Sequence, residues 1–165
     1  MFIIQQIMKK LLTILRHGEA QSLDSAPDDF SRPLSAKGRK DILRISNLIK
    51  SRNTSFDLLL KSPSKRTVET ALLLLDHVSI PKVVIEDSIY ESSMENLLQI
   101  IKTKSVGTSN ALIIGHNPSI TSLINYLTND YHIHVQPGTM VRLEVYVGDW
   151  THITQGSASV LEVIQ

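Results

Sequence analysis

A chain of 165 residues fits one domain of ordinary size, and with 42% hydrophobic and 20% charged residues it resembles neither a disordered nor a membrane-embedded composition. The formal net charge of +1 argues against a generic nucleic-acid binder, which needs a concentrated basic face, but not against a local phosphate pocket. The lack of cysteine removes disulfides, thiolate metal sites and every cysteine-nucleophile mechanism.

Met1 to Leu15 is apolar, yet Lys9 and Lys10 interrupt it and no small-residue cleavage site precedes Arg16, so no signal peptide is expected. Residues 1–7 are expected to form an extended start or a loosely held arm, with Met8 as an alternative beginning. No run reaches the ~18 apolar residues of a membrane span. Leu11-Leu12-Thr13-Ile14-Leu15 predicts a buried strand, closed by Arg16-His17-Gly18-Glu19. The polar stretch Gln21 to Pro33 then reads as a loop hanging over the strand end, where it can cover a site.

Leu34-Ser35 opens a helix carrying Ile42, Ile45, Leu48 and Ile49 at helical spacing. Phe56 to Leu60 suits a second buried strand, followed by Ser62-Pro63 as a capping serine with proline at the first helical position. Val68, Ala71, Leu72 and Leu75 predict the apolar stripe of that helix, Leu72 to Leu75 being core, with Arg66 in its first turns. Val83-Val84-Ile85 is a third strand. Ser92 with Glu95 resembles a capping box ahead of a helix whose face is Leu97, Leu98, Ile100 and Ile101. Ala111 to Ile114 makes a fourth strand, ending at Gly115-His116. Asn117-Pro118 repeats the cap-then-proline signal before Ile120, Leu123, Ile124 and Leu127. Met140 to Val147 and Ser159 to Ile164 close the chain as two strands, and Trp150 is expected to anchor the turn between them.

Strand and helix alternate from residue 11 to about residue 130, which predicts a single α/β domain over 1–165: a three-layer α/β/α sandwich with a mostly parallel sheet and partly antiparallel C-terminal strands. Right-handed crossovers bring the parallel strands' C-termini to one edge, where Arg16-His17, Ser62 to Arg66 and Gly115-His116 all lie. Two guanidiniums and an imidazole around a second imidazole suit a tetrahedral dianion, and the Asn117-Pro118 helix start adds free N–H groups aimed the same way. Gly18 permits close approach of backbone and ligand. The implied ligand is a phosphoryl group.

In this order the motifs are specific: Leu15-Arg16-His17-Gly18-Glu19-Ala20, then Asp29 to Gly38 with Arg32-Pro33-Leu34-Ser35, then Ser62-Pro63 through Arg66 to Thr70-Ala71, then Gly115-His116-Asn117-Pro118. The chain resembles the histidine phosphatase superfamily, the phosphoglycerate-mutase-like branch, and within it the small phosphohistidine phosphatase SixA type. The resemblance implies that His17 attacks phosphorus in line and becomes phosphorylated while Arg16, Arg66 and His116 hold the equatorial oxygens, with Gly18 and Asn117 beside the phosphate. Water then hydrolyses the phosphoenzyme. No metal or other cofactor is required where fixed cations stabilise the charge.

Larger relatives carry a general-acid carboxylate in the segment before the second histidine. Glu91, in Tyr90-Glu91, is the nearest counterpart here, with Glu19 in reserve or no acid at all. A missing acid matters less for a P–N bond, because imidazole leaves phosphohistidine more readily than an alkoxide leaves an ester. The expected activity is therefore a metal-independent phosphatase acting on a phosphohistidine protein or a small phosphorylated molecule, as a cytoplasmic monomer without nucleic-acid or membrane partners. The alternative is a non-catalytic phosphate-binding module of the same fold. A mutase is disfavoured by the short chain, and a metal hydrolase built on His132 and His134 by the lack of a third ligand at suitable spacing. These two histidines are expected on one solvent-facing strand face.

Overall fold

Residues 9–165 are described by the computed structural model. The expected arm, residues 1–7, and the choice between Met1 and Met8 lie outside the described residues. Six strands, β1 (Lys10–Arg16), β2 (Leu58–Lys61), β3 (Lys82–Ile85), β4 (Asn110–Gly115), β5 (Met140–Val145) and β6 (Ala158–Ile164), form one sheet of order β3-β2-β4-β1-β5-β6. Pairings among β1, β4, β2 and β3 are parallel, because each is followed by a helical crossover. β5 enters antiparallel to β1 and turns back on β6, so the C-terminal strands add by direct return. Helices α1 (Ala36–Ser51), α2 (Lys65–Leu75), α3 (Met94–Lys104) and α4 (Ser119–Thr128) cover the two faces.

Side-chain alternation along the strands divides the core. Leu12, Ile14, Leu58, Leu60, Ala111 and Ile113 meet α3 and α4 through Leu97, Ile101, Ile120 and Leu123. Leu15, Leu59, Leu112 and Ile114 meet α1 and α2 through Ile42, Ile45, Ile49, Ala71 and Leu74. Each fully buried Leu or Ile contributes roughly 1.5–3 kcal/mol relative to exposure, and β1, β2 and β4 are covered on both faces, which explains why these strands read as continuous apolar runs. Trp150 is buried and its indole N–H donates to the Thr108 carbonyl at 2.9 Å, anchoring the β5–β6 turn.

Four local readings differ from the structure. Ser62-Pro63 does not open α2: the cap position is Ser64 and the helix begins at Lys65, while the Ser62 hydroxyl is turned inward. Asn117-Pro118 likewise stands one step early, since α4 starts at Ser119 with Pro118 at the cap position. α3 is capped by Ser93, whose hydroxyl accepts from Asn96 N–H, while the Ser92 hydroxyl accepts from the Asn96 amide. α2 is also rotated about its axis relative to the predicted stripe. Its buried face is Thr67, Thr70, Ala71 and Leu74, and Leu72 is 57% exposed. Hydropathy counts threonine as polar, yet the Thr67 and Thr70 hydroxyls donate to the carbonyls of Ser62 and Arg66, which satisfies their polar atoms within the protein.

Candidate active site

Register brings the three motifs together. Arg16 stands opposite Gly115 and Lys61 opposite Ile114, so β1, β4 and β2 end at one level and release their next residues over the same edge. There a hollow of about 260 Å³ is lined by Arg16, His17, Arg66 and His116, together with Glu19, Arg32 and Asn117. The rings of His17 and His116 lie 4.9 Å apart between centroids.

His17 is 7% exposed. Its Nδ1 lies 2.8 Å from the carbonyl oxygen of Gly18, an acceptor only, so Nδ1 carries the proton and Nε2 keeps its lone pair. That lone pair accepts from Arg66 Nε–H at 3.2 Å. Burial, with the nearby guanidiniums of Arg66, Arg16 and Arg32 adding to it against the opposing Gly18 bond, lowers the ring's pKa from 6.5 to about 4. His17 is therefore neutral at physiological pH, with the Nε2 lone pair turned toward Arg66.

His116 closes the opposite wall. Its Nε2 is 2.9 Å from the Ser62 hydroxyl, and its Nδ1 faces Arg66 Nη2 at 3.4 Å. The Arg66 guanidinium can only donate, so Nδ1 accepts and Nε2–H donates to Ser62. Burial is the largest cause lowering the His116 pKa, to about 3, followed by His17 and Arg66. Ser64 and Thr67 extend this buried hydroxyl chain behind the ring, Ser64 Oγ being 3.0 Å from Thr67 Oγ1. Arg16 is held by a hydrogen bond from Nη1 to the Val135 carbonyl at 2.9 Å, and its buried Nε has no partner among the described residues.

An acid limb follows from these ring environments. With His17 as the attacking group a neutral imidazole is needed, and kcat/KM is then expected to fall only below about pH 4 rather than near 6.5. Between those values the unfolded chain binds the protons that the native rings refuse, so acid in this interval destabilises the fold, whereas above about 6.5 the linkage vanishes. A pH series of urea midpoints and of kcat/KM checks both, and an activity pKa near 6.5 would contradict the buried His17.

Sequence reasoning missed three residues of the site. Asp29, in the loop 21–33, accepts from Arg66 Nη2 at 2.9 Å, from Arg32 Nη1 at 2.8 Å and from the Tyr90 hydroxyl at 3.1 Å. The Arg32 bond is the largest cause holding this carboxyl down, at about 2, with Arg66 and Tyr90 adding to it. Arg32 enters the hollow itself and also donates to the Gln21 carbonyl. Tyr90 packs edge-on against His116 and against Phe30. Asp29 and Arg32 stand in the stretch Asp29 to Gly38 that carries part of the family resemblance, but the sequence assigned neither a role in the site.

Other expected members stand elsewhere. Glu91 is exposed, has a left-handed backbone with φ of 54°, and is not among the residues lining the hollow. Glu19 is the lining carboxylate, its Oε1 accepting from Ser35 Oγ at 2.7 Å. Gly18 does not face the hollow: its N–H donates to Thr70 Oγ1, and the missing Cβ makes room for Gly38, Ile42 and Leu34. Asn117 lines the hollow, with its side-chain amide donating to the Val135 carbonyl and accepting from Thr121. His132 and His134 are exposed in the loop preceding β5 rather than on a strand. Among the described residues no group of three His, Cys, Asp or Glu side chains is placed to hold a metal ion, and no helix is long and apolar enough to cross a membrane.

A family model described as Histidine phosphatase superfamily (branch 1) matches residues 12–100. Comparison by sequence with curated proteins gives no match. Among solved structures, the chain is similar to a proposed phosphohistidine phosphatase SixA from Nakamurella multipartitia, with 22% identity, a TM-score of 0.83, and coverage of 95% of this chain and 96% of that one. A structure of the protein histidine phosphatase SixA complexed with tungstate is 20% identical over 94% of this chain and 96% of that one, with a TM-score of 0.80. A mycobacterial glucosyl-3-phosphoglycerate phosphatase is 11% identical at a TM-score of 0.67, covering 93% of this chain and 98% of that one.

Proposed function

Since the chain belongs to the histidine phosphatase superfamily, branch 1, we propose that it is a metal-independent phosphatase working through a phosphohistidine intermediate on His17, and that phosphohistidine in a protein is its preferred substrate. The observation that carries this reading is the pairing of His17 Nδ1 with the Gly18 carbonyl, which leaves Nε2 as a neutral nucleophile facing Arg66. Nε2 forms its bond to phosphorus as the bond to the leaving atom breaks. The ring then carries positive charge, which the Gly18 carbonyl stabilises through Nδ1–H. Arg16, Arg66 and His116 surround the equatorial oxygens, and the incoming dianion offsets the repulsion from His17 and Arg66 that adds to burial in keeping His116 neutral. Water next attacks phosphorus, Nε2 departs with its electron pair, and Glu19 is the lining carboxylate available for the water's proton.

Substrate preference rests on the leaving group. Asp29 is held ionised between two arginines and Glu91 stands apart from the hollow, so Glu19, tied to Ser35 Oγ, is left as the lining carboxylate from which a departing alkoxide would have to take its proton. A phosphohistidine ring already protonated on its second nitrogen leaves as neutral imidazole and needs none. The likeness to the solved protein histidine phosphatase SixA supports the same choice.

Incubation with a phosphohistidine-bearing protein and, separately, with an aryl phosphate tests the proposal. The expected result is an acid-labile, base-stable phosphoryl label on His17, inorganic phosphate from both, and faster release from phosphohistidine. Label without turnover, or binding without label, would identify a phosphate-binding module instead. Hydrolysis of monoesters with none of phosphohistidine would overturn the substrate preference.

A further inference from the structure

Arg66 is held unevenly. On the side away from the hollow its Nη1 donates to the Asp29 carbonyl at 2.6 Å and its Nη2 to the Asp29 carboxylate at 2.9 Å. On the side facing the hollow its contacts are longer, 3.2 Å from Nε to His17 and 3.4 Å from Nη2 to His116. An incoming phosphoryl group replaces the longer pair and leaves the shorter pair in place, since oxyanions attract guanidinium N–H more strongly than neutral imidazole does.

We propose that Asp29 is a positioning residue for Arg66, fixing the guanidinium so that its Nε and Nη2 edge meets two phosphoryl oxygens in line with His17. The inference rests on the phosphatase reading above and deepens it. Asp29 suits this task because it is itself fixed from two further directions, by Arg32 Nη1 at 2.8 Å and by the Tyr90 hydroxyl at 3.1 Å. Those partners come from the loop 21–33 and from the segment before α3, while Arg66 comes from the first turn of α2. The carboxylate thus ties three separate parts of the chain to one guanidinium. Its negative charge opposes a dianion in the hollow, so it is badly placed to raise affinity by itself. What it supplies is direction: an unheld arginine side chain samples many rotamers, and a donor turned away from the transition state contributes nothing to the rate.

The alternative is that Asp29 merely closes the loop. A double-mutant cycle with Arg66→Lys separates the two, because lysine keeps the charge but has no planar edge to orient. With an aryl phosphate as probe, Asp29→Asn is expected to lower kcat/KM about 30-fold in the wild-type background but less than about threefold in the Arg66→Lys background. The apparent inhibition constant for inorganic phosphate should rise in parallel in the first background only. Thermal melting of Asp29→Asn, in which the amide oxygen can still accept from Tyr90, reports loop closure independently. An equal loss in both backgrounds, or a loss of less than threefold in the wild type, would overturn the positioning role while leaving the phosphatase reading intact. A wild-type protein that neither hydrolyses aryl phosphate nor binds inorganic phosphate would overturn both.

Discussion

His17→Ala is expected to lower kcat by roughly 10⁴–10⁶-fold, the scale seen when the nucleophile of a covalent mechanism is removed, while oxyanion binding survives. The two effects separate because they reside on different side chains. In the proposed mechanism nucleophilicity belongs to His17 Nε2, freed by the Nδ1 bond to Gly18. The same proposal assigns charge recognition to Arg16, Arg66 and His116, which enter from β1, α2 and the end of β4 and are expected to keep their places without the ring. Loss of the imidazole also releases Arg66 Nε from its 3.2 Å bond, so tungstate or phosphate affinity is expected to hold within about tenfold of wild type or to improve. His17→Gln, with an amide oxygen that can still accept from Arg66, serves the same comparison if the alanine variant melts early. Stopped-flow release of nitrophenol with calorimetry of tungstate binding reads both quantities. Retention of more than about a hundredth of the wild-type rate would exclude His17 as the nucleophile.

The four residues in that argument were legible in the sequence for a definite reason. Each sits at the end of a buried strand, directly after one, or in the first turn of the helix that follows it, and right-handed crossovers carry parallel strand ends to one edge wherever the pattern recurs. Strand ends therefore convert sequence position into spatial position. Asp29, Arg32 and Tyr90 obey no such rule. Two belong to the irregular loop 21–33, whose ends are pinned by the Ala20–Leu34 bridge and by Lys65 N–H donating to the Phe30 carbonyl, and neither contact has a local signature. The same limit explains Ser62, read as a helix cap from its neighbour Pro63 although its hydroxyl serves His116, a partner from another strand end. Glu91 failed in the opposite sense. A position one residue after Tyr90 reproduces spacing but not direction, and the left-handed backbone at Glu91 accompanies an exposed side chain.

Gly38→Ala carries the largest expected stability effect, and there local and tertiary reasoning give opposite signs. Gly38 lies in the first turn of α1, where alanine would ordinarily be favoured by about 1 kcal/mol. A Cβ at this position, however, would stand 2.2 Å from the Glu19 carbonyl oxygen and 2.7 Å from the Glu19 nitrogen. Both are backbone atoms, so no side chain can swing aside. Ser35 fastens the same joint, with its N–H donating to the Glu19 carbonyl, its hydroxyl donating to the Glu19 carboxylate, and its Oγ accepting from Gly38 N–H. Relief requires α1 to lift away from Glu19, breaking this set of bonds and opening the packing of Gly18 against Ile42. Overpacking of this kind costs about 3 kcal/mol or more, equivalent to a fall in Tm of roughly 6–12 °C for a chain of this size. The displaced segment is the one that presents His17 and Glu19, so activity should fall with stability. Gly148→Ala provides the matched control, since no atom of the described residues lies within 4 Å of the added methyl group. A Gly38→Ala protein that melts at or above the wild-type temperature would mean that helix propensity prevails and that α1 does not rest on the nucleophile's own segment.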